Sequence, residues 1–249
     1  MGDCLIFCVF NDGVYELALN HLTSLRMQGI ENYMAFTTGK ESHDLLKEKG
    51  FNVTLVANGE GHNGNFDYSS DEFGMFSYIR YKIMLPLLEK YKYIWYLDVD
   101  TVVLGDINGE IDRDAAWDLC IQDDIQMPCT GCMLFKSSYP SERAIRRVWD
   151  LKSAVIHDQI TLANLMKNKE LSAVVVRLPI DKFMNGLLYF DDDEICQIDA
   201  AAKAVRERVK GDCENFGSPI FVHANFMTGT DNKIAAFKRH GLWFIDNAK

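Results

Sequence analysis

The chain has 249 residues, 48% of them apolar, with 26 Lys and Arg against 36 Asp and Glu and a formal charge of −10 at pH 7. That surplus of negative charge excludes non-specific binding to nucleic acid or to an anionic membrane, since both need a basic face to neutralise phosphates. A chain this long buries roughly three quarters of the surface it exposes when unfolded, so it needs neither disulfides nor a structural metal to fold.

The first hundred residues alternate strand and helix patterns. CLIFCVF (Cys4 to Phe10) is a continuous apolar run ended by the turn Asn11-Asp12-Gly13, and reads as a buried strand. Leu17, Leu19, Leu22, Leu25 and Met27 then recur at near-helical spacing. NYMAFTT predicts a second strand, ESHDLLKEKG a helix closed by Gly50 at C′, and FNVTLV a third strand. This order implies a parallel sheet with crossover helices. Residues 57 to 71 carry too many Gly, Asn and Ser for a regular element and read as a long loop. A helix from about Asp71 to Lys90 follows, with a kink or break expected at Pro86, and leads into KYIWYLDVDTVVL. After Gly105 come shorter strands in AWDLCIQ, GCMLFKS, AVVVRL, GLLYF and PIFVHANF, with helices near 141 to 152, 158 to 168 and 197 to 210. The expectation is an α/β fold with a mixed sheet: one domain over residues 1–249, divided into a part over 1–105 and a part over 106–249.

Seven scattered cysteines, Cys4, Cys8, Cys120, Cys129, Cys132, Cys196 and Cys213, are an odd number and fit a reducing compartment. No stretch reaches the ~20 apolar residues of a membrane span, and MGDCLIFCVF lacks the basic lead of a secretory signal. A soluble cytoplasmic protein is expected.

Asp98 and Asp100 stand where the apolar run Tyr93 to Leu97 ends. Residues two apart on an extended chain face the same way. Two carboxylates at the mouth of an apolar layer repel each other and resist desolvation, and a divalent cation removes the conflict. In open α/β sheets ligands bind outside the carboxyl ends of the strands. Oxygen ligation there suits manganese or magnesium held with a diphosphate. A bare D-x-D is equally compatible with a capped turn beside a solvated carboxylate.

YIWYLDVDTVVLGDI resembles the D-x-D segment of nucleotide-diphospho-sugar glycosyltransferases of the GT-A fold, the broad group with glycogenin-like and plant extensin-type enzymes. FSYIRYKIMLPLLEKY resembles the helix before that motif. CTGCMLFKSS, HDQITLANLM, FMNGLLYF and FVHANFMTGTDNKIAAFKRHGLW resemble later segments, in family order over most of the chain. The resemblance implies a Rossmann-type GT-A fold with a mostly parallel sheet flanked by helices. It implies transfer of a sugar from a UDP-sugar to a glycan or other hydroxyl acceptor, with Mn2+ or Mg2+ as cofactor.

Residue by residue, the resemblance assigns the metal to Asp98, Asp100 and His223, with Asp98 also approaching the donor. Beyond His223, Asn225 belongs to the same donor-side string, Gly229 would let backbone approach phosphate, and Lys233 would give it a point charge. Arg80 and Lys82, at i and i+2, do not share a helical face, so at most one of the two points at the donor. Asn11, Asp12 and Tyr15 are implied to take the base, with uracil as the default. Asp158 and Gln159, after His157, are implied to lie beside the sugar as the catalytic pair. An inverting enzyme needs a carboxylate as general base there, whereas retaining relatives often place an amide. The residues leave that choice open, and the resemblance implies retention. Cys129 stands where Asn is frequent in glycogenin-like enzymes, which removes the sugar contact implied at that position.

Three other readings compete. Asp98-Val99-Asp100-Thr101-Val102 also fits the nucleophile motif of a haloacid-dehalogenase-type phosphatase. That family places the motif on its first strand, whereas three strands are predicted before it here. Cys129-Thr130-Gly131-Cys132 is a C-x-x-C, but no second close pair completes a zinc site. A non-catalytic sugar-nucleotide-binding protein is the remaining alternative. The run Asp191 to Glu194 reads as a solvated face, and Phe183, Tyr189 and Phe190 as core aromatics able in principle to stack on an acceptor.

Overall fold

The apolar runs become strands wherever both faces can be covered. In the computed structural model, which describes residues 3–56, 70–125, 127–190, 200–212 and 217–245, strand β1 is Cys4–Phe10, β2 Tyr33–Thr37, β3 Val53–Leu55 and β4 Tyr93–Leu97. All seven residues of β1 and all five of β4 are buried. These four strands run parallel in the order β3-β2-β1-β4. Helices α1 (Tyr15–Met27) and α2 (Lys40–Glu48) occupy the first two connections. Gly50 follows α2 with φ +73°, the left-handed conformation that favours glycine at C′.

The chain divides into two compact units, each assembled from three stretches. The first takes residues 1–15, 32–98 and 112–178. There β1 to β4 are extended by β5, the strand Pro128–Lys136, by β6, Leu119–Asp123, and by β7, Val175–Arg177, giving β3-β2-β1-β4-β5-β6-β7 across the sheet. β5 is antiparallel to both β4 and β6, while β7 runs parallel to β6. One side of this sheet holds helices α3 (Asp71–Ser77), α4 (Ile79–Leu88), α5 (Tyr139–Asp150) and α6 (Asp158–Lys167) against a core that includes Tyr78, Tyr81, Met84, Ile94, Met133, Phe135 and Leu162. Each such side chain contributes about 1.5–3 kcal/mol on burial.

The second unit takes residues 16–31, 99–111 and 179–249. Its sheet has three short strands in the order β8-β9-β10, namely Thr101–Val103, Phe221–His223 and Phe183–Met184. β8 and β9 are antiparallel, with His223 opposite Thr101, and β10 is parallel to β9. Helices α7 (Gly186–Tyr189), α8 (Ala200–Asp212) and α9 (Thr230–Arg239) belong here with the body of α1. The late strands thus form two sheets rather than the single mixed sheet expected.

Two further expectations are corrected. The helical stretch from Asp71 breaks at Tyr78, while Pro86 lies inside α4 without interrupting it. Ser77 explains the break: its hydroxyl donates to the Gly74 carbonyl at 2.8 Å, and its own carbonyl accepts from Arg80 Nε at 2.8 Å. GLLYF begins as helix α7 instead of a strand. Asn185 caps it, accepting from Leu188 N at 3.0 Å, and a local cap decides a run whose apolar pattern fits either element. Residues 57–69 and Asp191 to Glu194, read as a loop and a solvated face, lie outside the described residues, as do Cys196 and Cys213.

Candidate functional site

β1 and β4 are adjacent and parallel, with Phe7 level with Tyr96. Their carboxyl ends therefore deliver Asn11-Asp12 and Asp98 to the same edge of the first unit's sheet, the edge where open α/β sheets bind ligands. Asn11 is buried, and its side chain accepts from Gly13 N at 3.1 Å, opening a single 3-10 turn over Asp12–Val14. Asp12 Oδ1 accepts from Ser42 N at 2.8 Å. It supplies the cap that Gly39, the residue before α2, has no side chain to provide. Tyr15 follows, half-buried, at the start of α1.

Asp98 is part of a buried charged cluster. Tyr96, two residues earlier on the same face, donates its hydroxyl to Asp98 Oδ1. Arg80 Nη1 lies 3.3 Å from the same oxygen, Arg80 Nε lies 3.5 Å from Asp158 Oδ2, and the guanidinium stacks over Tyr96 at 4.4 Å. Arg80 also donates to the Thr130 carbonyl at 2.9 Å. Burial opposes its charge, but the carboxylates of Asp158 and Asp98 outweigh that and raise its pKa well above the ordinary value. Asp158, 2% exposed, also accepts from the Tyr81 hydroxyl at 3.1 Å. Two carboxylates against one guanidinium leave a surplus negative charge at the end of β4. Lys82 is exposed on the same helix, so of the two cations considered in the sequence, Arg80 is the one held at Asp98.

Gln159 donates its amide to Asp124 Oδ2 at 3.3 Å, beside Met127 Sδ at 3.1 Å. A carboxylate only accepts, so this pairing fixes which end of the amide is the nitrogen. Asp124, buried after β6, was missed by sequence reasoning because no motif marks it. Its signal is a pair of adjacent acids, Asp123 and Asp124, at the end of an apolar strand.

In the second unit, Asp100 immediately precedes β8, and its carbonyl accepts from Ala224 N at 2.8 Å just beyond β9. The Asp100 carboxylate is gripped on both oxygens: Lys233 Nζ donates to Oδ2 at 2.6 Å, and His223 Nε2 lies 3.3 Å from Oδ1. Burial pushes the Asp100 pKa up, but Lys233 and His223 outweigh it and hold the carboxyl well below the usual range. His223 itself is 3% exposed. His21, on α1, contacts the Thr101 carbonyl and hydroxyl through Nδ1 at 3.2 and 2.9 Å, fastening the residue after Asp100. Asn225 Oδ1 accepts from Gly186 N at 2.7 Å, tying the segment after β9 to the start of α7. Gly229 stands before α9 with φ +86°. Phe183 and Phe190 are fully buried, whereas Tyr189 is half-buried against Phe190 and His240.

The tripeptide Asp98-Val99-Asp100 joins these clusters covalently. Two carboxylates two residues apart, with an imidazole on the second, make a donor set of oxygens and one nitrogen that fits a divalent cation. Cys129 and Cys132 offer no comparable set. Both thiols are buried and pushed well above their ordinary pKa by burial, which suppresses the thiolate that zinc or redox chemistry requires.

A mostly parallel sheet with Asn11-Asp12 and Asp98 just past the carboxyl ends of neighbouring strands is an α/β arrangement that takes ligands at that edge. The sequence matches the model of the nucleotide-diphospho-sugar transferase family over residues 28–237, and the chain belongs to that family. No curated protein matches it significantly. Among solved structures it is similar to a glycosyltransferase involved in glycosylating the major capsid of PBCV-1, at 12% identity and TM-score 0.55, over 94% of this chain and 99% of that one. It is also similar to the galactosyltransferase LgtC in complex with donor and acceptor sugar analogues, at 12% identity and TM-score 0.54, over 95% of each chain. GlyE of Streptococcus pneumoniae TIGR4 matches at 14% identity and TM-score 0.57, over 90% of this chain but 54% of its own. At such identities the likeness is one of fold, and the fold is that of the GT-A glycosyltransferases.

Proposed function

We propose that the protein is a metal-dependent glycosyltransferase that moves a sugar from a UDP-sugar to an acceptor hydroxyl with retention at the anomeric carbon. The observation that carries this is Asp100, a buried carboxylate kept charged by Lys233 and His223 two residues after Asp98. Asp98, Asp100 and His223 would hold Mn2+, or Mg2+, with the nitrogen ligand favouring manganese. When bound, such a cation supplies a Lewis acid for the diphosphate that gains negative charge as the sugar–oxygen bond breaks.

The protein's own groups do the rest. Lys233 and the backbone at Gly229 take the phosphates, Asn225 fixes the segment between His223 and Gly229, and Arg80 holds Asp98 oriented. Asn11, Asp12 and Tyr15 face the base, here taken as uracil. Gln159 turns its amide oxygen towards the sugar because its nitrogen is given to Asp124. Retention is favoured because Asp158, the carboxylate an inverting mechanism would use as base, is 2% exposed and already engaged by Arg80 and Tyr81. Residues 1–105 form the nucleotide-facing part, and 106–249 the acceptor-facing part together with the returning metal and phosphate ligands. The buried thiols of Cys8, Cys120 and Cys132 support a reducing, cytoplasmic setting.

The test is a panel of UDP-sugars with Mn2+, read as UDP release and as product on simple saccharide acceptors. Manganese-dependent UDP release is expected. Phosphate release from simple phosphoesters without any sugar acceptor would instead favour the phosphatase chemistry.

A further inference from the structure

We propose that Lys233 is a tethered counter-ion that keeps free divalent metal off Asp100 until a diphosphate draws the ammonium away, so that metal and nucleotide enter as a pair. The inference rests on Asp100 being a metal ligand, as argued above.

A carboxylate as buried as Asp100, 9% exposed, is costly without a compensating charge. Its compensation comes from within the same unit. Lys233 Nζ donates to Oδ2 at 2.6 Å and the His223 imidazole sits 3.3 Å from Oδ1. The two partners differ in kind. An imidazole nitrogen can turn from the carboxylate to a cation and remain a ligand, whereas an ammonium has three donors and no lone pair. A divalent cation on either oxygen of Asp100 therefore lies beside the positive charge that Lys233 holds on Oδ2, and the two cations repel each other.

Lys233 is built to leave. It lies in the first turn of α9, its side chain is 22% exposed, and its charge rides on a flexible four-carbon stem. Departure alone would strand one ammonium and one carboxylate, so neither exchange is favourable singly. Metal replaces the lysine on Asp100, and the diphosphate gives the lysine new negative partners. Coupling of this kind is reciprocal: nucleotide tightens metal, and metal tightens nucleotide by the same factor.

The experiment measures Mn2+ binding to nucleotide-free protein through the electron paramagnetic resonance signal of free Mn2+, then repeats it with UDP. The wild type is compared with Lys233→Met, Lys233→Gln and Lys233→Arg. Removing the competing cation should tighten binding of Mn2+ alone about tenfold in the Met and Gln variants, while the gain on adding UDP shrinks. Lys233→Arg, which keeps the charge, should stay weak without nucleotide. Unchanged or weaker Mn2+ binding in both neutral variants, with UDP still promoting Mn2+ binding to the wild type, overturns the counter-ion role alone. Failure of the wild type to bind Mn2+ even with UDP overturns the metal assignment itself.

Discussion

His21 shows how far a residue outside the reacting groups shapes them. It is fully buried, burial pushes its pKa down to about 4 from 6.5, and its ring holds Thr101, the neighbour of Asp100. A histidine kept neutral in the fold while its unfolded form takes a proton contributes stability that is present above pH 6.5 and is lost as pH falls towards 4. The loss should reach about 3 kcal/mol at the lower end. Urea denaturation across that window should show a decline in the wild type that is largely absent in His21→Gln, and equal slopes in the two proteins would contradict it. His21 carried no signal in the sequence, being one imidazole in an amphipathic helix. Asp98 and Asp100 were legible because an apolar strand ending in two acids is electrostatically anomalous. Asp124 was not, because its partner Gln159 lies far along the chain.

At the scale of elements, Arg80 fastens α4 to β5 through the Thr130 carbonyl, closes the end of α3 through Ser77, and balances Asp98 and Asp158. Its replacement in Arg80→Met leaves two carboxylates facing each other with no cation. A stability loss of about 3–5 kcal/mol is expected, measured by urea denaturation, and a loss no larger than the ~0.5 kcal/mol of a surface change would show that the cluster is not held by this residue. Strands β1 to β4 were readable because each is a local run with both faces apolar. The break at Tyr78 and helix α7 were not, since a side chain's choice between backbone partners, Ser77 in one case and Asn185 in the other, decided them. The two-residue β10 carries too little pattern to register at all.

Across the whole molecule, ten surplus negative charges make a dianionic nucleotide an unwelcome ligand except where cations are concentrated. A bound metal with Lys233 provides that concentration in the proposed account. Among the described residues no helix is long and apolar enough to cross a membrane. The family could be recognised from several weak segments in order, although the separate β8-β9-β10 sheet could not, because its antiparallel β8–β9 pairing joins stretches more than a hundred residues apart and its other strand is only two residues long, so neither leaves a local trace. The central claim is that a divalent cation links the acidic tripeptide to a nucleoside diphosphate. Calorimetric titration of UDP with and without Mn2+ tests it most directly. Binding that requires Mn2+ is the predicted result, and no binding in either condition, or equal affinity in both, would contradict it.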